Sequence, residues 1–292
     1  MKIRIFFLHL AAFLFLAALT PCIADTVTGR LYINKGGLVT VDSISLPCLA
    51  FNSTRDFFQN SAVVTVAQND TLLLRVYNYD DKPHGFAVKN TSINNIDIQP
   101  DESRIISISG LESGTYIYYD PKDFPKNSYL GLAGILYVKD GSSDKNFFWN
   151  LHEYQSNWSR GLVYDSTVQV SEYDPEYFTI NGLSNPDIEE DSTAIIRGTV
   201  GERMLLSIAN TGLSTHSIHF HGYHLRVLFS SENTGFKNRV KDTFRVTSMN
   251  TYVLELIPDK PGLFPIHDHN LIANTGGLMY PNGMFMMMDI KE

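Results

Sequence analysis

Hydrophobic and polar residues alternate over short stretches along most of the chain, and turn residues interrupt each stretch. β-Branched and aromatic residues dominate these stretches, and no segment keeps a helical period. The pattern predicts an all-β protein, built as antiparallel sandwiches or barrels. In the first half, the predicted strands span residues 39–41, 62–66, 71–77, 104–109, 115–119 and 134–138.

The second half of the chain repeats this pattern. Residues 64–78 resemble residues 196–210, and each passage leads within a few positions to a histidine motif. The chain is therefore predicted to be an internal duplication of a β domain. The predicted division is a first domain at 25–140, a connecting strand and linker at 141–176, and a second domain at 177–292.

The first residues have the features of a secretory signal peptide. Lys2 and Arg4 precede an apolar run, residues 5–19, and cleavage is predicted after Ala24. The run is short for a membrane span, and no later segment offers 18 uncharged residues. We therefore expect residues 1–24 to be a signal peptide, the protein to be secreted or periplasmic, and the mature chain to have no stable membrane span.

Composition and charge argue against several classes of protein, partner and binding site. The 292 residues are 43% hydrophobic and 18% charged, which is typical of a globular protein and excludes a disordered or collagen-like chain. A formal net charge of -8 argues against a nucleic-acid partner. Of the 2 cysteines, Cys22 falls in the predicted signal peptide, so Cys48 alone cannot form an intramolecular disulfide or a site with two thiolates.

The histidines are concentrated in the second half. Six of the nine lie between His216 and His269, and two pairs, His219 with His221 and His267 with His269, are spaced i, i+2. On a β-strand this spacing places both imidazoles on one face. Two such pairs on neighbouring strands could converge on copper, zinc, nickel or iron, whereas magnesium and calcium prefer oxygen ligands. The alternative is that these are structural histidines with satisfied hydrogen bonds.

Several motifs resemble those of multicopper oxidases. Residues 216–224 (HSIHFHGYH) are similar to the HPxHLHGH motif, and residues 262–269 (GLFPIHDH) with the following Gly283 and Met284 are similar to the closing motif of the family. The chain is identified as similar to two-domain members of that superfamily, the small laccases and copper nitrite reductases. The resemblance implies two cupredoxin-like Greek-key β-sandwich or barrel domains and copper as the cofactor.

The resemblance also implies roles for six histidines. His219 matches a type 2 copper ligand, and three others match type 3 ligands: His221, His267 and His269. His216 matches a histidine of the type 1 (blue) centre, and His84 matches a copper histidine of the first domain.

The departures from the family motifs concern the blue copper site. Asp268 stands where the family carries cysteine, Ala273 stands where it carries a further histidine, and residues 118–121 (YYDP) lack the first-domain ligands. A blue copper site needs a thiolate and two imidazoles, so neither domain is expected to hold one. Laccase activity, which needs several coppers and an electron relay, is not expected either.

Three neighbouring features have more ordinary explanations. His152 and Glu153 could form an acid/base pair, but a structural histidine is favoured. Asp268 should point away from the face of His267 and His269 and is expected to be a supporting or surface group. The methionines at 284–288 are expected to be mainly core residues.

The sequence therefore predicts an exported copper-binding protein with a type 2/type 3-like histidine site and no type 1 centre. One alternative is a copper-dependent oxidoreductase that oxidises a small reductant or Cu(I) with dioxygen. A second alternative is a metal-free interaction scaffold. In the relatives such sites lie between domains of homotrimers, so the resemblance allows a homotrimer in which His84 of the same or a neighbouring subunit completes the site.

Overall fold

The computed structural model describes residues 24–142, 144–277 and 279–292. Regular structure in these residues is predominantly β-strand, as predicted, with two short α-helices and four 3-10 turns. Apart from Ala24, the predicted signal peptide lies outside the described residues. No helix in the described part of the chain is both long and apolar enough to cross a membrane.

The first domain packs a four-stranded sheet, in the order β2-β1-β4-β7, against a five-stranded sheet, in the order β3-β9-β8-β5-β6. The long first strand pairs antiparallel with β2 and parallel with β4. A short helix, α1 (Lys126–Tyr129), lies between β8 and β9. The strands are β1 (Thr26–Val39), β2 (Ser45–Asn52), β3 (Val64–Ala67), β4 (Thr71–Asn78), β5 (His84–Val88), β6 (Ile96–Ile98), β7 (Ser103–Ile108), β8 (Gly114–Tyr119) and β9 (Ala133–Lys139).

The second domain packs a six-stranded sheet, in the order β11-β10-β13-β18-β15-β16, against a five-stranded sheet, in the order β12-β20-β19-β14-β17. Helix α2 (Ser156–Val163) follows its first strand. The strands are β10 (Lys145–Tyr154), β11 (Tyr177–Ile180), β12 (Arg197–Thr199), β13 (Met204–Asn210), β14 (His216–Phe220), β15 (Leu225–Ser230), β16 (Val240–Lys241), β17 (Thr243–Val246), β18 (Thr251–Leu256), β19 (Gly262–Asp268) and β20 (Phe285–Lys291).

Strand β10 belongs to the second domain, although the sequence placed it in the connection. It pairs parallel with β13 and antiparallel with β11, just as β1 pairs with β4 and β2 in the first domain. Its apolar side chains, such as Trp149 and Leu151, are buried in the second-domain core. The strand is needed there because it joins β11 to β13 in the six-stranded sheet.

Alternation along the strands separates core from surface. In β4, Leu72, Leu74 and Val76 point inward and are buried, while the residues between them are partly exposed. In the second domain, Met286 and Met288 on β20 point inward in the same way and join the core cluster. The inward-pointing methionines of this run, Met286 and Met288, therefore belong to the core, as expected.

The two domains contact each other through strands of both. The Thr115 hydroxyl of β8 donates to Ser207 Oγ of β13 at 2.9 Å. Apolar residues from both domains, including Ile117 and Val253, form a shared buried cluster. The Lys89 ammonium, just after β5, donates to the Met249 carbonyl at 2.5 Å. Apolar and polar contacts together hold the domains side by side.

Candidate metal centre

Strands β14 and β19 bring the two histidine pairs together. They are antiparallel neighbours, and their register places His219 directly opposite His267. On the other side of β14, strand β17 places Thr243 opposite His219. Ile218 and Ile266 point into the core and are buried, so alternation turns the histidines to the outer face of the sheet.

The four imidazoles form one cluster on this outer face. The ring centroids of His219 lie 4.6 Å from His221, 4.7 Å from His269 and 5.7 Å from His267. His267 lies 5.2 Å from His221 and 5.8 Å from His269. His219 and His267 occupy the centre and are half-buried, while His221 and His269 flank them and are exposed. The cluster is therefore open to solvent.

The hydrogen bond of His267 defines which of its nitrogens can bind a metal. Its Nδ1 lies 2.9 Å from the backbone carbonyl oxygen of Asp268, which can only accept, so Nδ1 carries the proton. Its Nε2 faces His221 Nε2 at 3.0 Å. Two imidazole nitrogens bound to one ion at about 2.0–2.1 Å are about 3 Å apart. This pair thus has the spacing of two ligands on a single ion.

His219 has the same kind of support from side chains. Its Nδ1 lies 2.9 Å from Thr243 Oγ1, and the Thr243 hydroxyl donates to Asp242 Oδ1 at 3.1 Å. Since that hydroxyl has only one proton, His219 Nδ1 donates to it and Nε2 keeps its lone pair. Partial burial, followed by the neighbouring His221 and His269, lowers the pKa of His219. A neutral ring is the form that binds metal.

The chemistry of the donor set therefore fits copper or another metal that prefers nitrogen. No group of three or more His, Cys, Asp or Glu donors within the described residues is already arranged to hold a metal ion. The His221 and His267 pair supplies two nitrogens at the required spacing. A third imidazole would reach the same ion by rotation about its side-chain torsions, which half-buried and exposed rings permit.

His216 lies elsewhere, although the sequence grouped it with the ligands. It points inward from β14 and is 1% exposed. Its Nδ1 is 2.7 Å from Asp268 Oδ2, and its Nε2 is 3.1 Å from Glu153 Oε2. Burial alone would lower the pKa of His216, but the bonds to Asp268 and Glu153 outweigh it and raise the pKa. The ring is an imidazolium without a free lone pair.

His84 occupies a similar position in the first domain, 1% exposed. Its Nδ1 lies 2.8 Å from Asp120 Oδ2, and its Nε2 lies 2.9 Å from Asp80 Oδ2. Its pKa is raised, because these hydrogen bonds outweigh the effect of burial. Within the chain, the structure therefore brings four of the six predicted ligands together and leaves His84 and His216 apart, each with both nitrogens bonded to carboxylates.

The described residues offer no thiolate to a blue copper centre. Asp268 holds the family's cysteine position, and Cys48 is 1% exposed in an apolar cluster with Leu38 and Leu46. Burial raises the pKa of the Cys48 thiol to about 12, so the group stays protonated at neutral pH.

Several supporting residues escaped the sequence analysis. Thr243 and Asp242 carry no motif in the sequence; they are polar residues where strand β17 begins. Glu153 was paired with His152 by adjacency, but it bonds to His216 instead. His152 is structural, as favoured: its Nε2 donates to the Tyr129 carbonyl at 2.8 Å, and burial lowers its pKa.

Comparison with known proteins shows what the chain resembles in sequence and in fold. Residues 162–288 match the family model of multicopper oxidases. No curated protein sequence matches the chain. The resemblance to multicopper oxidases and copper nitrite reductases, predicted from the motifs, is confirmed, and copper is the cofactor that the family implies.

Solved structures share the two-domain fold. A blue copper oxidase from Nitrosomonas europaea is 21% identical, with a TM-score of 0.77 over 91% of this chain and 86% of the other. The multicopper oxidase mgLAC is 18% identical, with a TM-score of 0.76 over 92% and 87%. A copper nitrite reductase from Nitrosomonas europaea is 15% identical, with a TM-score of 0.71 over 91% and 94%. These similarities establish the cupredoxin-like fold of both domains.

Proposed function

We propose that this two-domain protein of the multicopper oxidase type is an exported copper-binding protein. It binds copper on the outer face of the second domain through His219, His221, His267 and His269, in a type 2/type 3-like site without a type 1 centre. The observation that supports this most directly is the placement of His219 opposite His267, with His221 Nε2 only 3.0 Å from His267 Nε2.

The chain's own residues prepare this site. The Asp268 carbonyl and the Thr243 hydroxyl fix the protons of His267 and His219 on Nδ1, which leaves Nε2 free. Bound copper would supply a redox-active, Lewis-acidic ion at this place. For His221 Nε2 to bind as well, the proton that it shares with His267 Nε2 would move to His221 Nδ1, the other tautomer of the same ring.

A homotrimer remains part of the proposal, because the site is open and exposed apolar side chains follow it in the sequence. Leu271 and Tyr280 are each 70% exposed, and Ile272 is 59% exposed, close in sequence to His269. In a homotrimer, a neighbouring subunit would cover these apolar side chains. Native mass spectrometry of the copper-loaded protein, with Leu271→Asp as the variant, tests this arrangement through the subunit count.

An oxidoreductase is the second candidate, favoured by the exposure of His221 and His269. An ion on this open face could accept a small reductant or dioxygen at a free coordination position. Turnover would appear as oxygen consumption with a phenol or Cu(I) as donor. A copper carrier would instead release its metal to a competing chelator without turnover.

The deciding experiment measures copper per chain after loading with Cu(II) and dialysis, together with visible and EPR spectra. We expect bound copper with a type 2-like EPR signal and no intense thiolate-to-copper band, because no described residue supplies a thiolate. His267→Ala should lose the metal. His224→Ala, in the same exposed stretch but outside the ring contacts of the cluster, is the matched control and should keep it.

Each outcome of this experiment has a distinct meaning. Copper retained by both His219→Ala and His267→Ala would place the metal elsewhere and contradict the proposal. A strong thiolate band would mean that Cys48 binds copper. Wild-type protein that binds no metal would instead support the interaction scaffold.

A further inference from the structure

A buried charged network lies directly beneath the histidine cluster. Its centre is the His216 imidazolium, between Asp268 Oδ2 at 2.7 Å and Glu153 Oε2 at 3.1 Å. Both carboxylates are fully buried. Glu153 Oε1 accepts from the Tyr173 hydroxyl at 2.6 Å and from the backbone N–H groups of Leu213 and Ser214 at 2.7 and 2.6 Å. The buried charge is therefore fully hydrogen-bonded, as such groups must be.

Asp268 joins this network to the metal-binding strand. It sits between His267 and His269, and its Oδ1 accepts from the Ser217 and Asn270 backbone N–H groups at 3.1 and 2.9 Å. Its carboxylate thus links β14, β19 and the turn after β19. The side chain points inward while its neighbours point outward, so it cannot itself reach a metal bound on the outer face.

The backbone of Asp268 is held as firmly as its side chain. Its N–H donates to Asn274 Oδ1 at 3.2 Å, and the Asn274 amide donates to its carbonyl at 2.7 Å. The same carbonyl accepts the Nδ1 proton of His267 at 2.9 Å. The group that fixes the His267 tautomer is therefore oriented by the carboxylate on one side and by Asn274 on the other.

We infer that Asp268, held by His216, which Glu153 holds in turn, is a positioning residue for the copper-binding histidines. It touches no metal, and it sets the backbone from which His267 and His269 project and the carbonyl that leaves His267 Nε2 free. Partners of metal-binding histidines typically change metal affinity about 10- to 100-fold when they are removed. This inference rests on the proposed function, because it assumes that these histidines bind copper.

The first domain provides a matched control for a merely structural role. Asp120 makes the same contacts: its Oδ2 bonds to His84 Nδ1 at 2.8 Å, and its Oδ1 accepts from the Gly85 and Lys122 N–H groups at 2.8 and 2.9 Å. Its neighbours on β8 and the following loop are Tyr119 and Pro121, which cannot replace imidazole ligands. Loss of Asp120 should disturb folding in the same way without reaching the histidine cluster.

The test compares Asp268→Asn with Asp120→Asn in the full chain. Cu(II) affinity is measured by chelator competition, the copper environment by EPR, and the His267 tautomer in metal-free protein by ¹⁵N NMR of the imidazoles. Both variants should unfold at lower temperature than wild type. Only Asp268→Asn should lose about 10- to 100-fold in affinity, shift the EPR hyperfine coupling and alter the His267 tautomer. Asp268→Glu should recover part of the affinity.

Two results would overturn the inference. One is a folded Asp268→Asn protein with wild-type affinity, EPR spectrum and His267 tautomer. The other is an equal loss in Asp120→Asn, which would show a general effect of destabilisation. Failure of the proposed function is distinguishable, because it appears in the wild-type protein as a lack of histidine-bound copper, while the metal-free NMR comparison still tests the positioning role.

Discussion

The two domains carry the same buried histidine–aspartate arrangement, but the opposite face of the same two strands differs between them. In the first, β5 pairs with β8 so that Ala87 lies opposite Tyr119; in the second, β14 pairs with β19 so that His219 lies opposite His267. On the inward-facing side of these strands, each domain buries an imidazolium against an aspartate. The pairs are His84 with Asp120 and His216 with Asp268.

This comparison distinguishes the residues that stabilise the fold from the residues proposed to bind copper. The buried histidine–carboxylate groups occur in both domains, so they do not distinguish the domain proposed to bind copper from the other. The difference lies on the opposite face of the same two strands, where the first domain has Ala87, which is buried, and Tyr119, which packs against the apolar cluster shared by the domains. The proposed copper site therefore differs from the equivalent first-domain positions in both side-chain chemistry and exposure.

The largest expected effect comes from making the second domain like the first. His219→Ala and His267→Tyr each introduce the residue found at the equivalent place in the first domain. Either change removes a central ligand, so we expect Cu(II) affinity to fall by about 100-fold or more. Copper content after dialysis, with His224→Ala as control, measures it. Full copper retention by both variants would show that His219 and His267 do not distinguish the two domains in metal binding.

Loss of the buried aspartate should lower the free energy of unfolding to a similar extent in both domains. Asp120→Ala and Asp268→Ala each leave a buried imidazolium with one carboxylate missing, which typically costs about 3–5 kcal/mol. Denaturant unfolding of the metal-free variants measures this loss. A loss confined to one domain would mean that the two buried groups are not equivalent.

Stability of the metal-free protein should fall with rising pH. The pKa of His84 and of His216 is raised in the folded chain above 6.5, to about 9 for His216, so the folded state holds these protons more tightly than the unfolded state. Their stabilisation is complete below about pH 6.5 and is lost as pH rises through the folded pKa.

Thermal midpoints between pH 6 and 10 measure this dependence. His84→Gln and His216→Gln should each remove a share of it. A slope unchanged in both variants would assign the pH dependence to other groups.

The smallest effect concerns the hydrogen bond of His219. Thr243→Val keeps the shape of the side chain but removes the hydroxyl that accepts the His219 Nδ1 proton. We expect about a tenfold loss of Cu(II) affinity, and Thr243→Ser should retain wild-type affinity. Equal affinity of the valine and serine variants would show that the tautomer of His219 needs no such support.

Much of this could be predicted from sequence. Alternation and turn residues indicated the β fold, and the repeated passages indicated the duplication. The i, i+2 spacing placed His219 with His221, and His267 with His269, on common faces. The long strand β1 and the assignment of β10 to the second domain were missed, because both depend on parallel pairing between segments far apart in sequence.

The sequence by itself determined which histidines of a pair share a face, because strand periodicity fixes which side chains lie on one side of a strand. Only the tertiary structure decided their partners. The register of β14 against β19 placed His219 opposite His267, and packing turned His216 inward to meet Asp268 and Glu153. These contacts join residues about 50 to 60 positions apart, and local sequence cannot encode such a distance because it is set by which strands become neighbours in the folded sheets.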